Sequence, residues 1–154
     1  MRVSRVLAMF ATISLVGVAC SDNNTTTGIP AGLSVFTATL NGANEKPTAV
    51  TTTAAGSAIV TILGNQLSWK VDITSAIDSI TAGHIHHAPI DSAGGVRVNF
   101  NPTPTGLAFT GTATQGSATV ADSVIAFIQA GKSYVNIHTR KNGAGEIRGQ
   151  LVKQ

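Results

Sequence analysis

In the segment LSWKVDI, Leu67, Trp69, Val71 and Ile73 alternate with Ser68, Lys70 and Asp72. Successive side chains of an extended chain point to opposite faces, so a period of two predicts a strand with one face in a core and the other toward water. The same alternation opens in FTATL, where Phe36, Ala38 and Leu40 share a face. It returns in GSAIVTIL, GHIHH, GVRVNF, LAFTGTAT, SYVNIHT and EIRGQLV. Between these runs lie NGANEKP, LGNQ, DSAGG, NPTPTG and KNGAG, segments rich in the residues that turns need. Seven to nine short strands with turns this frequent predict an all-β, antiparallel sandwich or barrel. A chain of 154 residues has room for one such domain.

One segment has a different period. In ADSVIAFIQAG, Val124, Ile125, Phe127 and Ile128 fall at helical spacing, Asp122 or Ser123 is placed to cap, and Gly131 stands where a helix ends in a left-handed residue. A short helix near residues 123–130 is expected, its apolar stripe covering an open end of the core.

The first residues carry a different signal. MRVSR is basic, VLAMFATISLVGV is apolar but short of the ~20 residues a membrane span needs, and Ala19 leads into Cys20, the only cysteine. Residues 1–19 read as a signal peptide. A lone cysteine at that point fits a lipoprotein signal in which the Cys20 thiol is lipidated, although Gly17 stands where Leu is commoner. Ser21, not Asp, follows it, so outer-membrane sorting is expected in a Gram-negative host. Residues 20–33 are polar and aperiodic and read as a tether, which leaves 34–154 as the domain. With Arg2 and Arg5 assigned to the leader, eight cations face seven acids. A net charge of +1 gives no basis for a nucleic-acid partner; the expected attachments are the membrane, through the lipid, and an extracytoplasmic protein.

Chemistry-bearing residues gather in three strands. His84 and His86 are two apart and share a face, Asn136 and His138 lie on the polar side of YVNIHT, and Glu146 and Arg148 on that of GEIRGQL. Two readings follow. His84, His86 and His138 can form a copper or zinc site, since strand positions i and i+2 converge and a neighbouring strand supplies a third imidazole. The reading taken first, with the metal site as its alternative, is that the histidines need no cofactor and belong to a structural polar network of a binding or structural module, with Glu45, Asn136, Glu146 and Arg148, in which Glu146 orients a histidine and Arg148 pairs with Glu45 or Glu146. Catalytic residues are not expected: the acids lack a paired-carboxylate spacing, and there is no G-x-S-x-G elbow or strand-to-helix phosphate loop.

LNGANEKP, AGHIHHAP with DSAGGV, and AGKSYVNIHTRKNGAGEIRGQL, in that order, resemble the CHRD domain, the module named from chordin, over residues 34–153. His87 stands where the family more often has Gly, and Lys46 where it favours an apolar residue before Pro47. The resemblance implies an extracytoplasmic β-sandwich module, immunoglobulin-like or superoxide-dismutase-like, of a family without a defined activity, and the lack of a catalytic motif adds the expectation that the protein is not an enzyme. The H-x-H strand with a later strand histidine is also similar to copper/zinc superoxide dismutase. That likeness stops short of dismutase activity, because the chain has four histidines in all and no cysteine pair.

Overall fold

The computed structural model describes residues 30–154. Nine strands are formed among them: β1 (Leu33–Asn41), β2 (Ala55–Leu63), β3 (Gln66–Ile77), β4 (Ile80–His87), β5 (Gly95–Asn99), β6 (Phe109–Thr119), β7 (Ser133–Thr139), β8 (Ile147–Gln150) and β9 (Val152–Lys153). They make one antiparallel sheet in the order β5-β4-β7-β8-β1-β2-β3-β6, with β9 beside β1. The signal peptide, the lipidation of Cys20 and most of the tether fall on residues outside those described. Leu33, placed in the tether by its sequence, opens β1.

The alternating residues do what their period demands. Phe36, Ala38 and Leu40 of β1 and Leu67, Trp69, Val71 and Ile73 of β3 are buried together with Val60 of β2. Ile85, Val135, Ile137 and Ile147, from the β4-β7-β8 half of the sheet, join the same cluster. One core therefore lies between two halves of a single curled sheet. Near the β5 end, Phe100 stacks on Trp69 at 4.9 Å between ring centres.

Helix α1 occupies Asp122–Gln129. Its Ile128 is fully buried and Val124 and Ile125 pack on the core, so the apolar stripe covers the sheet as its spacing implies. Gly131 ends it at φ +69°. The expected side-chain cap is absent: Ala121 holds the cap position, and the Asp122 carboxylate instead accepts a hydrogen bond from Asn65 Nδ2 at 2.5 Å. No helix among the described residues is long and apolar enough to cross a membrane.

The polar side of β4, β7 and β8 departs most from expectation. All seven residues of β7 are buried, on both faces. Asn44, in the 3-10 turn Gly42–Asn44, donates to the Arg148 carbonyl, the Pro89 and Ile90 carbonyls bind the Arg148 side chain, and Gly143 lies on His138. Three connections thus roof the outer face and take its polar groups out of water. Each buried polar group then needs a partner inside the protein.

Candidate metal centre

Strand pairing brings the three histidines together. On β4, His84 and His86 are separated by Ile85, whose side chain enters the core. In the β4–β7 register His84 stands opposite Asn136 and Ala82 opposite His138, so His138 lies diagonally beside His84 on the same face. One ring nitrogen from each of the three lies within 4.8 Å of the others. His86 and His138 are buried and His84 is half-buried.

Backbone carbonyls orient two of the rings. His86 Nδ1 donates to the Gly94 carbonyl at 2.9 Å, and His138 Nδ1 to the Gly143 carbonyl at 3.0 Å. A carbonyl only accepts, so both neutral rings carry their proton on Nδ1 and keep a lone pair on Nε2. His86 Nε2 is buried without a hydrogen-bond partner. His84 Nδ1 lies 3.0 Å from His138 Nε2. Burial, then the charges of His138 and His86, lowers the pKa of His84 to about 4. Burial likewise lowers His86 and His138, against the Gly94 and Gly143 hydrogen bonds that pull the other way. Desolvation favours the neutral imidazole, which is the form that binds a metal.

The carbonyls that set this geometry come from turn glycines that the sequence marked only as turns. A Cβ on Gly94 would fall inside the His87 carbonyl, so only glycine lets this turn close on β4. The Gly94 N–H donates to the Tyr134 hydroxyl oxygen at 3.2 Å, and the Tyr134 ring stacks on His86 at 4.9 Å and 6°. Tyr134 therefore supports His86 twice, by its ring and through the Gly94 turn. His87 is out of phase, as its position demands, and stacks on Phe127 of α1 at 3.6 Å.

The polar network differs from its expected pairing. Arg148 forms no ion pair with Glu45 or Glu146; its guanidinium lies over Tyr134 and donates to the Pro89 and Ile90 carbonyls at 3.1 and 3.4 Å. Glu45 takes a hydrogen bond from Asn136 Nδ2 at 3.2 Å. Gly145, at φ +145°, passes so close that a Cβ there would meet the Asn136 amide and Glu45 at 2.6 to 2.7 Å. Burial raises the pKa of Glu45 to about 7, against the pull of Asn136 and Arg148.

Glu146 sits apart from the histidines. It accepts from Thr139 Oγ1 at 2.9 Å and from Asn142, and is not the group that orients an imidazole. Burial pushes its pKa up, but bonds from Thr52, Asn142 and Thr139 and the charge of Lys141 outweigh it, leaving the group below its ordinary value. The reason for the reassignment is distance along the sheet: β8 begins at Ile147, so Glu146 belongs to the turn against Thr139, while backbone carbonyls already hold His86 and His138.

Zinc held by imidazoles has Zn–N bonds of about 2.0–2.1 Å, which puts tetrahedral ligand nitrogens about 3.3 Å apart. The His84–His138 nitrogen pair, at 3.0 Å, is near that spacing, and the three ligand nitrogens all lie within 4.8 Å of one another. The donor set is three imidazoles, two of them, His86 and His138, oriented by carbonyls, which would suit copper(II) or zinc.

No curated protein and no solved structure matches the chain. The profile of the CHRD domain matches residues 36–151, from the first core aromatic of β1 to the leucine after β8. The match takes in all three histidines and the whole Glu45–Asn136–Arg148 network, and the chain belongs to the CHRD domain family.

Proposed function

We propose that this protein is a non-enzymatic extracytoplasmic CHRD module, tethered to the membrane through lipidated Cys20, that holds a copper or zinc ion with His84, His86 and His138. The observation that carries the metal reading is the buried Nε2 of His86. It is unpartnered, its tautomer is fixed by the Gly94 carbonyl, and it lies in a group of three imidazole nitrogens. An unpaired buried acceptor costs stability, and ligation supplies its missing partner. The tether is supported by the basic and apolar leader that ends at Ala19–Cys20.

The test is a zinc and copper titration by calorimetry of protein carrying no affinity tag, beside His86→Ala and His138→Ala. One equivalent bound by the wild type and none by the variants supports the reading. Equal binding by all three, or none by any, sinks it.

One observation favours a second reading. The His84–His138 hydrogen bond satisfies two of the three imidazoles without an ion, as in a purely structural network. In that case the module acts by presenting its surface to an extracytoplasmic protein, and removing His84 changes stability alone.

A further inference from the structure

The three imidazoles are neutral donors, so the surroundings decide how much positive charge an ion can bring to them. His86 and His138 are buried and His84 is half-buried, and an ion held there gives up most of its water. That cost grows with the square of the ion's charge and weighs far more on a divalent ion than on a monovalent one. A carboxylate or thiolate ligand would offset it; among the described residues the group holds three histidines and neither of these. A fixed cation adds to the difference. β4 and β8 flank β7 on opposite sides, and the Tyr134 ring of β7 stands between them, stacked on His86 at 4.9 Å and facing the Arg148 guanidinium at 3.5 Å. One ring separates the cation from the ligand. A guanidinium keeps its charge throughout the physiological range, and this one bonds only to carbonyls. The acids nearby leave that charge standing. Glu45 is bonded to Asn136 and held toward its neutral form by burial, Glu146 is bonded to Thr139 and Asn142, and Asp91 is exposed.

We propose that the site prefers monovalent copper to zinc and copper(II), and that the buried charge of Arg148 sets the preference. This rests on the metal reading. Three neutral nitrogens leave a monovalent ion with one positive charge in the covered site and a divalent ion with two, each repelled by the guanidinium. Through an effective dielectric of about 20, a unit charge about 10 Å away weakens binding roughly tenfold for each positive charge on the ion. Of the two metals only copper has a stable monovalent form, which the site takes up as it is, with no electron transferred. Arg148 acts from behind Tyr134, and its part is separable from packing. A loosened ligand weakens all ions alike, whereas a removed charge counts twice on a divalent ion.

The experiment measures dissociation constants of the untagged protein for copper(I), without oxygen and in competition with bicinchoninate, and for zinc by calorimetry, beside Arg148→Met and Ile90→Asp. Arg148→Met removes the charge and keeps an unbranched side chain. Ile90 is 69% exposed and its carbonyl bonds Arg148, so Ile90→Asp sets a carboxylate near the guanidinium while every buried side chain stays as it is. The wild type should hold copper(I) more tightly than zinc. The ratio of copper(I) to zinc affinity should fall about tenfold in Arg148→Met, and in the same direction by about twofold or more in Ile90→Asp. A wild type that prefers zinc overturns the proposal with the metal reading left intact. So does an unchanged ratio in Arg148→Met with wild-type circular dichroism, or in Ile90→Asp where Arg148→Met does not fold. If neither ion binds, or His86→Ala binds both as the wild type does, the metal reading falls as well.

Discussion

The guanidinium carbon of Arg148 lies 3.5 Å from the centre of the Tyr134 ring. The cation is 1% exposed and faces a π surface and two carbonyls where a carboxylate would be the ordinary partner. A buried cation over an aromatic face gains about 2 kcal/mol, and hydrogen bonds to a charged group about 1.5–3. Arg148→Ala is therefore expected to cost about 3 kcal/mol or more, well beyond the ~1 kcal/mol ceiling of an exposed ion pair. Arg148→Lys should recover little, since an ammonium cannot both lie flat on the ring and reach two carbonyls. Urea melts of the two variants decide it; a loss under 1 kcal/mol in both would show that this cation adds nothing unusual.

Glu45 predicts a slope of stability with pH. Its folded pKa of about 7 exceeds the ordinary value of 4.5, so the folded state holds a proton that the unfolded chain has released between those limits. Its contribution to stability is complete below pH 4.5 and is lost as pH rises through 7. The histidines, lowered in the fold, act with the opposite sign below about pH 6.5. Comparing wild type with Glu45→Gln subtracts them. The variant, a permanent mimic of the neutral acid, should be the more stable of the two at pH 8 and lose that advantage by pH 5. Parallel melting curves across this range would mean that Glu45 is ionised in the fold.

Metal binding should resist acid. Three imidazoles of ordinary pKa would lose about 10³-fold in affinity between pH 7.5 and 5.5, because each must be neutral to bind. With His84 held at about 4 and His86 and His138 also lowered, the fall moves to lower pH. Calorimetry at the two pH values should show a loss for zinc well short of that thousandfold. A thousandfold loss would place the three groups at their ordinary values.

His87 gives the control. It stacks on Phe127 and takes no part in the three-histidine group. His87→Ala should bind zinc as the wild type does and lose about 0.5–1.5 kcal/mol of stability through the lost ring contact. Impaired binding with an unchanged melting point would contradict this division of labour.

Cys20→Ala should move the protein from the membrane fraction to the soluble one, or leave its precursor uncleaved. One acyl chain gives marginal binding, but the several chains of a mature lipoprotein hold firmly. Detergent partitioning like that of the wild type would rule out anchoring at this residue.

The sequence determined the strands, because a buried face imposes a period of two that reads directly from Leu67 to Ile73 and from Phe36 to Leu40. It also determined that His84 and His86 share a face and that His87 does not, for the same reason. Which strands became neighbours lay outside that local signal. The sheet order set His138 beside His84 and put Arg148 on Tyr134, and both are consequences of β4 pairing with β7 and β7 with β8. Burial of the polar face was likewise decided by tertiary structure. Loops with no periodicity folded back over β7 and carried in the Gly94, Gly143, Pro89 and Ile90 carbonyls. A carbonyl belongs to every residue alike, so no side-chain pattern could single out these four. Their role arises from position, which fixed the histidine tautomers and gave Arg148 partners that are not carboxylates.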